Sequence, residues 1–150
     1  MVEADWFPLR TSLWVLSTIT GSLITGIVTG DRQAIIHLLV RGPAGQEQEI
    51  EAIIDTGFDG ALSLPSSLIV RLSLPWRQRG RALLADGRES VFDIYEASVI
   101  WDGKPRRIHV DEAETAPLIG MSLLEGCELG IEVQPGGKVT IRQLSPGQSG

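Results

Sequence analysis

The chain has 150 residues, 43% of them apolar and 21% charged, with a net charge of -6. Such a length and composition suit one folded domain and exclude a chain disordered throughout. The acidic balance repels phosphate backbones and argues against general nucleic-acid binding. The single Cys127 excludes an internal disulfide and fits a reducing compartment, so a cytoplasmic location is expected.

Residues 11–30 carry no charge, and a membrane span needs about twenty predominantly apolar residues. Here Ser12, Ser17, Thr18, Thr20, Gly21, Ser22, Thr25, Gly26 and Thr29 interrupt the run, so no span and no membrane partner are expected. Glu3 and Asp5 stand where a secretory signal needs basic residues. Residues 1–23 therefore read as an N-terminal extension outside the core, running into a first strand.

Strand signals dominate the rest of the chain. Residues 34–40 are rich in Ile, Leu and Val and end at a turn cluster, Arg41-Gly42-Pro43-Ala44-Gly45. Residues 49–54 alternate polar and apolar and then become continuously apolar, as a strand ending in a core does. A short apolar run at 61–64 stops at Pro65, and Leu68, Ile69 and Leu72 suit one or two helical turns beginning there. Arg77, Arg79 and Arg81 alternate, which on a strand makes one solvated basic face. Runs at 81–85 and 90–101 flank Asp86-Gly87-Arg88, and Asp102-Gly103-Lys104 separates the latter from 106–110; Asp-Gly between strands is a hairpin signal. Pro117-Leu118-Ile119-Gly120 is a buried apolar step, followed by a short helix at 121–125 that stops at Gly126. Residues 128–133 and 138–144 form a last hairpin around Pro135-Gly136-Gly137, and 145–150 is a polar tail. Trp76 and Trp101 read as core or hairpin anchors. Many short strands at close spacing with one or two short helices define an all-β fold, a small closed barrel or sandwich, occupying residues 24–144.

His37 and His109 lie in separate strand-like runs, and neither His-Glu-x-x-His nor paired cysteines occur, so no metal site is expected. No serine-hydrolase elbow and no nucleotide-binding glycine loop is present, and Cys127 reads as a packed thiol. The chemistry-bearing segment is Ala52-Ile53-Ile54-Asp55-Thr56-Gly57. Its apolar residues drive a strand inward and leave a carboxylate at the end, where burial raises its pKa unless hydrogen bonds offset it. Gly57 lets the backbone approach the acid and donate an N–H to it, and Thr56 has a hydroxyl to send to a neighbouring main chain.

Asp55-Thr56-Gly57 after an apolar strand, the Asp86-Gly87 hairpin, and Leu118-Ile119-Gly120 before a short helix together resemble the retropepsin-like aspartic peptidases, and more closely their single-domain bacterial members. The likeness runs from about Ile24 to Leu144. It implies a closed, barrel-like retropepsin fold and a homodimer that brings two Asp55 carboxylates to a two-fold axis. It further implies an aspartic endopeptidase that cleaves extended peptides without metal or cofactor. Asp55, Thr56 and Gly57 are then the catalytic residues. Phe58, Asp59 and the flap residues Ala85, Asp86 and Gly87 are the substrate-binding ones. The terminal strands, 23–30 and 138–144, are expected to interleave with those of the mate. The sequence departs from the retroviral pattern at Phe58, where a small residue is usual, and at Met121 and Ser122, where an Arg and then Asn or Asp stand. With no Arg after Gly120, the ion pair to Asp59 is missing, and the flap carries a single glycine. The alternative is a catalytically silent peptide-binding or dimerisation module on the same fold.

Overall fold

A computed structural model describes residues 23–145. Residues 1–22 and 146–150, which hold nearly all of the expected N-terminal extension and polar tail, lie outside them. In chain order the strands are β1 (Leu23–Val28), β2 (Ala34–Arg41), β3 (Glu47–Ile54), β4 (Leu62–Leu64), β5 (Trp76–Leu83), β6 (Glu89–Trp101), β7 (Lys104–Glu112), β8 (Leu118–Ile119), β9 (Cys127–Ile131) and β10 (Lys138–Gln143). Two short helices, α1 (Ser66–Arg71) and α2 (Met121–Leu124), follow β4 and β8. The fold is all-β, as expected. Among the described residues no helix is long and apolar enough to cross a membrane.

The strands form one sheet in the order β5-β6-β7-β4-β8-β3-β2-β1-β10-β9. An extra pairing, Val40 with Val99 and Arg41 with Ser98, joins β2 to β6 and closes six strands into a ring. Alternation decides what the ring contains. Paired residues leave a sheet on the same side. Tyr95, Val110, Leu62, Ile119 and Ile54 therefore make one inward row across β6, β7, β4, β8 and β3. Val110, Leu62 and Ile119 are wholly buried, and Tyr95 and Ile54 pack against the same core. The row one residue away, Ile94, Asp111, Ser63, Leu118 and Ile53, lies on the opposite face.

The hairpins follow their turn residues. At the 101–104 turn Asp102 (φ 59°) and Gly103 (φ 77°) are both left-handed, as a two-residue hairpin loop demands. The Asp86-Gly87 hairpin is wider. Gly87 N–H donates to Leu84 O and Leu84 N–H to Arg88 O, with Gly87 at φ 88°. That is a three-residue loop whose last position requires the left-handed backbone glycine tolerates.

The two tryptophans named above differ in burial. Trp76 is 54% exposed and anchors the β5–β6 hairpin instead of the core: it sits at the irregular start of β5, opposite Tyr95, and gives its indole N–H to Asp93 on β6. Trp101 is buried as expected. Within the chain the terminal strands pair with each other. β1 pairs with β10 from Leu23–Arg142 to Ile27–Lys138, and β10's other edge is taken by β9. Among the described residues the sheet's edge strands are β5 and β9.

Leu62 has no exposed surface and joins β7 to β8 through Val110 and Ile119. Leu62→Ala should cost about 2–5 kcal/mol, because a centre held by three strands collapses little around the void. A urea unfolding curve measures it; a loss under about 1 kcal/mol would mean that the ring relaxes around the site.

Candidate active site

The loop after β3 is fixed by β8. Leu118 and Ile119 insert between β3, to which they run parallel, and β4, to which they run antiparallel. Ile53 N–H donates to Pro117 O and Asp55 N–H to Ile119 O at 2.9 Å, so Asp55 is the first residue beyond the paired strand and still tied to β8. Its side chain is half-buried, and its Oδ1 accepts the Gly57 N–H at 2.9 Å. Phe58 N–H closes the turn onto Asp55 O at 3.1 Å. Thr56 is exposed, and its hydroxyl bonds to nothing among the described residues.

The other end of the loop is held by close backbone approach. Met121 N–H donates to Phe58 O, Ser122 N–H to Gly60 O, and Gly120 N–H to Ala61 O, at 2.8, 3.1 and 3.1 Å. A Cβ on Gly120 would lie 2.3 Å from Gly60 O and 2.5 Å from Phe58 O, so only glycine lets the strands meet. The Phe58 ring lies over this junction, because a Cβ on Gly60 would meet its Cζ at 2.5 Å and one on Gly120 its Cδ2 at 2.6 Å. The bulk at Phe58 is thus packed on the glycine pair. A cation does reach this region, from β7: Arg106 donates to the carbonyls of Ser122 and Leu123 on α2.

Beside the loop is an open cavity of about 510 Å³, bordered by Asp59, Ala61, Ile94, Glu96 and Asp111 among others. Asp111 is half-buried, and its carboxyl is pushed above the ordinary range, first by desolvation and then by the charge of Asp59; His109 pulls it back partway. Glu96 is held below the ordinary range, chiefly by its hydrogen bond from Arg77, with Arg107 adding to it. Neither Asp111 nor Ser63 was expected here from the sequence. Ser63 carried a signal, a single polar residue between Leu62 and Leu64 in a strand that is otherwise apolar.

The expected site residues thus fall into two groups. Asp55, Thr56, Gly57, Phe58 and Asp59 share one loop. Ala85, Asp86 and Gly87 lie at the tip of the β5–β6 arm, where every residue from 81 to 89 is exposed and the hydrogen bonds of the turn stay within it. Along the arm Arg77, Arg79 and Arg81 face Glu96, Asp93 and Glu89, so the basic face expected there is neutralised across the strands.

No protein-family model matches this chain, and no curated protein matches it. Among solved structures it is similar to a retropepsin-like aspartic protease from Rickettsia conorii, at 20% identity and a TM-score of 0.53, over 83% of this chain and 92% of that one. An EIAV protease complexed with an inhibitor is also similar, at 13% identity and a TM-score of 0.48, over 63% of this chain and 88% of that one. The fold is therefore retropepsin-like.

Gly120→Ala should lose about 1–3 kcal/mol of stability, because its methyl meets two backbone carbonyls and not a movable side chain. Gly30, with nothing within 4 Å of a Cβ, is the control, and Gly30→Ala should be close to neutral by the same urea titration. Equal losses at both positions would remove the close-approach argument.

Asp111 sets a pH dependence. A carboxyl whose folded pKa is raised binds its proton more tightly folded than unfolded, so stability falls as pH climbs from the ordinary carboxylate range through the raised value. Asp111→Asn removes that loss. Its melting temperature should exceed the parent's at neutral pH, and the gap should close by about pH 4, near the unfolded carboxylate pKa. A gap independent of pH would show that the carboxyl is not the cause.

Proposed function

We propose that the chain is one subunit of an aspartic endopeptidase that acts as a homodimer on extended peptides, with residues 24–144 as the working domain. The observation that carries this is Asp55: a half-buried carboxylate, clamped to β8 through its own N–H and accepting from Gly57, in a retropepsin-like fold. One described chain supplies one such loop, and the chemistry needs two acids. Two copies related by a two-fold axis through this loop would bring the two Asp55 carboxylates together. Like charges at close range share a proton instead of both ionising. The ionised acid takes a proton from water as that water attacks the peptide carbonyl, and the protonated acid donates a hydrogen bond to the developing oxyanion. The exposed Thr56 hydroxyl is available to bond across such an axis. Gly57 N–H orients the carboxylate, and the 81–89 arm, with Ala85, Asp86 and Gly87 at its tip, closes over the peptide as an added strand. Phe58 and Asp59 flank the bound chain.

Asp55→Asn keeps the size and an acceptor oxygen but removes the ionisable group from both subunits. Hydrolysis of an unstructured fluorogenic peptide should fall by about a hundred- to ten-thousand-fold or more, with folding retained. Wild-type rate should fall as pH rises and the shared proton is lost, a limb that the variant lacks. Equal rates in both proteins, each sedimenting as a dimer, would leave the second reading, a silent peptide-binding or dimerisation module. Full activity from a protein that sediments only as monomer would overturn the two-subunit site.

A further inference from the structure

The cavity beside the Asp55 loop has an assignable chemistry. Its floor and walls come from the outward face of β6 and β7, from the 59–61 segment and from Ser122. The cations on its border are already engaged. Arg107 is 2.9 Å from Glu96, and Arg106 is spent on the carbonyls of α2. Glu96 is in turn held by Arg77 and Arg107. Two carboxylates are left over. Among the described residues neither Asp59 nor Asp111 accepts a hydrogen bond or joins an ion pair, yet the charge of Asp59 acts on Asp111. His109, exposed on β7, is the remaining titratable neighbour.

A second observation is independent of these acids. Ser63 is 3% exposed, and among the described residues its Oγ has no hydrogen-bond partner. Its partner across β4 and β7 is Asp111, and Ile94 is Asp111's partner across β6 and β7, so all three side chains leave the sheet on one face. Ala61, two positions before Ser63 along the chain, lines the cavity. Of this row Asp111 and Ile94 border the cavity, while Ser63 stands beside Asp111, buried. A buried polar atom without a partner is costly, and so is a half-buried carboxylate facing another. A ligand with an apolar stem and a cationic, multiply donating head would relieve the facing carboxylates. Ile94 and Ala61 suit the stem, and Asp111 and Asp59 suit the head.

We propose that this cavity is a recognition subsite for a lysine or arginine side chain of the bound peptide, with Asp111 as its principal acceptor and Asp59 supporting it. Asp59 lies on the same loop as Asp55, so the basic residue falls within a few positions of the bond that Asp55 would cleave. The inference rests on the peptidase reading for its place in the reaction, but the subsite is testable without it.

The experiment uses the full chain and one fluorogenic peptide in which lysine, or norleucine as its uncharged counterpart, is placed at successive positions. Lysine should raise kcat/KM over norleucine by about tenfold at one position, the effect of a charge-assisted hydrogen bond, through KM more than kcat. In Asp111→Asn the ratio should drop toward one, and in Asp111→Lys a glutamate peptide should be preferred instead. A wild-type ratio near one at every position, or a preference that survives in Asp111→Asn, would overturn the subsite while leaving the peptidase intact. If no peptide is cleaved, fluorescence polarisation of the same labelled peptides decides. A lysine-over-norleucine affinity ratio that is lost in Asp111→Asn upholds the subsite and removes only the peptidase, whereas equal affinities overturn it.

Discussion

The position of the Asp55 loop depends on how closely two stretches of backbone can approach, the segment 58–61 and the turn at Gly120. Three main-chain hydrogen bonds join them, and neither Gly120 nor Gly60 has room for a Cβ. The approach works because β8 is only two residues long and is captured on both sides, parallel to β3 and antiparallel to β4. Ile119 anchors it from within the ring, and Leu123 on α2 is buried just beyond. The Phe58 ring covers the junction from outside. In the retroviral pattern an arginine after Gly120 pairs with the acid of this loop. Here packing of an aromatic ring on two glycines occupies the same junction, and Arg106 supplies the cation to α2 from a different strand. An aromatic contact of this kind is insensitive to salt, unlike an exposed ion pair.

The ring separates two chemistries one residue apart. Its inward row is dominated by apolar side chains, wholly buried at Val110, Leu62 and Ile119, as close packing of a small core requires. The neighbouring row carries Asp111 and Ser63 between Ile94 and Leu118. A design concerned only with stability would fill both positions with aliphatic side chains. An unsatisfied buried hydroxyl costs about 1–3 kcal/mol, and that cost is borne beside the loop that carries Asp55. Local departures from good packing gather at functional surfaces for this reason.

Much of the fold was legible in the sequence because the deciding signals are local. Alternation at 49–54, the Asp-Gly pairs, Pro65 before a short helix and Gly126 after another each fix a neighbourhood of a few residues, and the structure agrees with them. The Asp55-Thr56-Gly57 loop was visible because an acid at the end of an apolar strand is unusual in itself. What stayed hidden is set by pairing across distance. Nothing near Ser63 announces that Asp111 will stand beside it in a parallel ladder. Nothing near Trp76 shows that the strand begins with an irregular pair at the sheet edge, which leaves the indole outside. The pairing of the two terminal strands with each other was not legible either. They are each other's partners, and a strand's partner is not written in its own residues.

That mutual pairing of β1 and β10 joins nearly opposite ends of the described chain, with Leu23 against Arg142. The entropy of closing so long a loop must be met before any hydrogen bond of that ladder repays it. The hairpins β2–β3, β5–β6 and β6–β7 can form from neighbouring residues while the chain is still emerging from the ribosome. β1, the first strand of the ring's outer wing to be made, must wait for almost the last one. During that interval it exposes Ile24 and Val28, which are buried only once the fold is complete. A strand that waits so long for its partner is meanwhile exposed to the off-pathway association that unpaired apolar segments undergo.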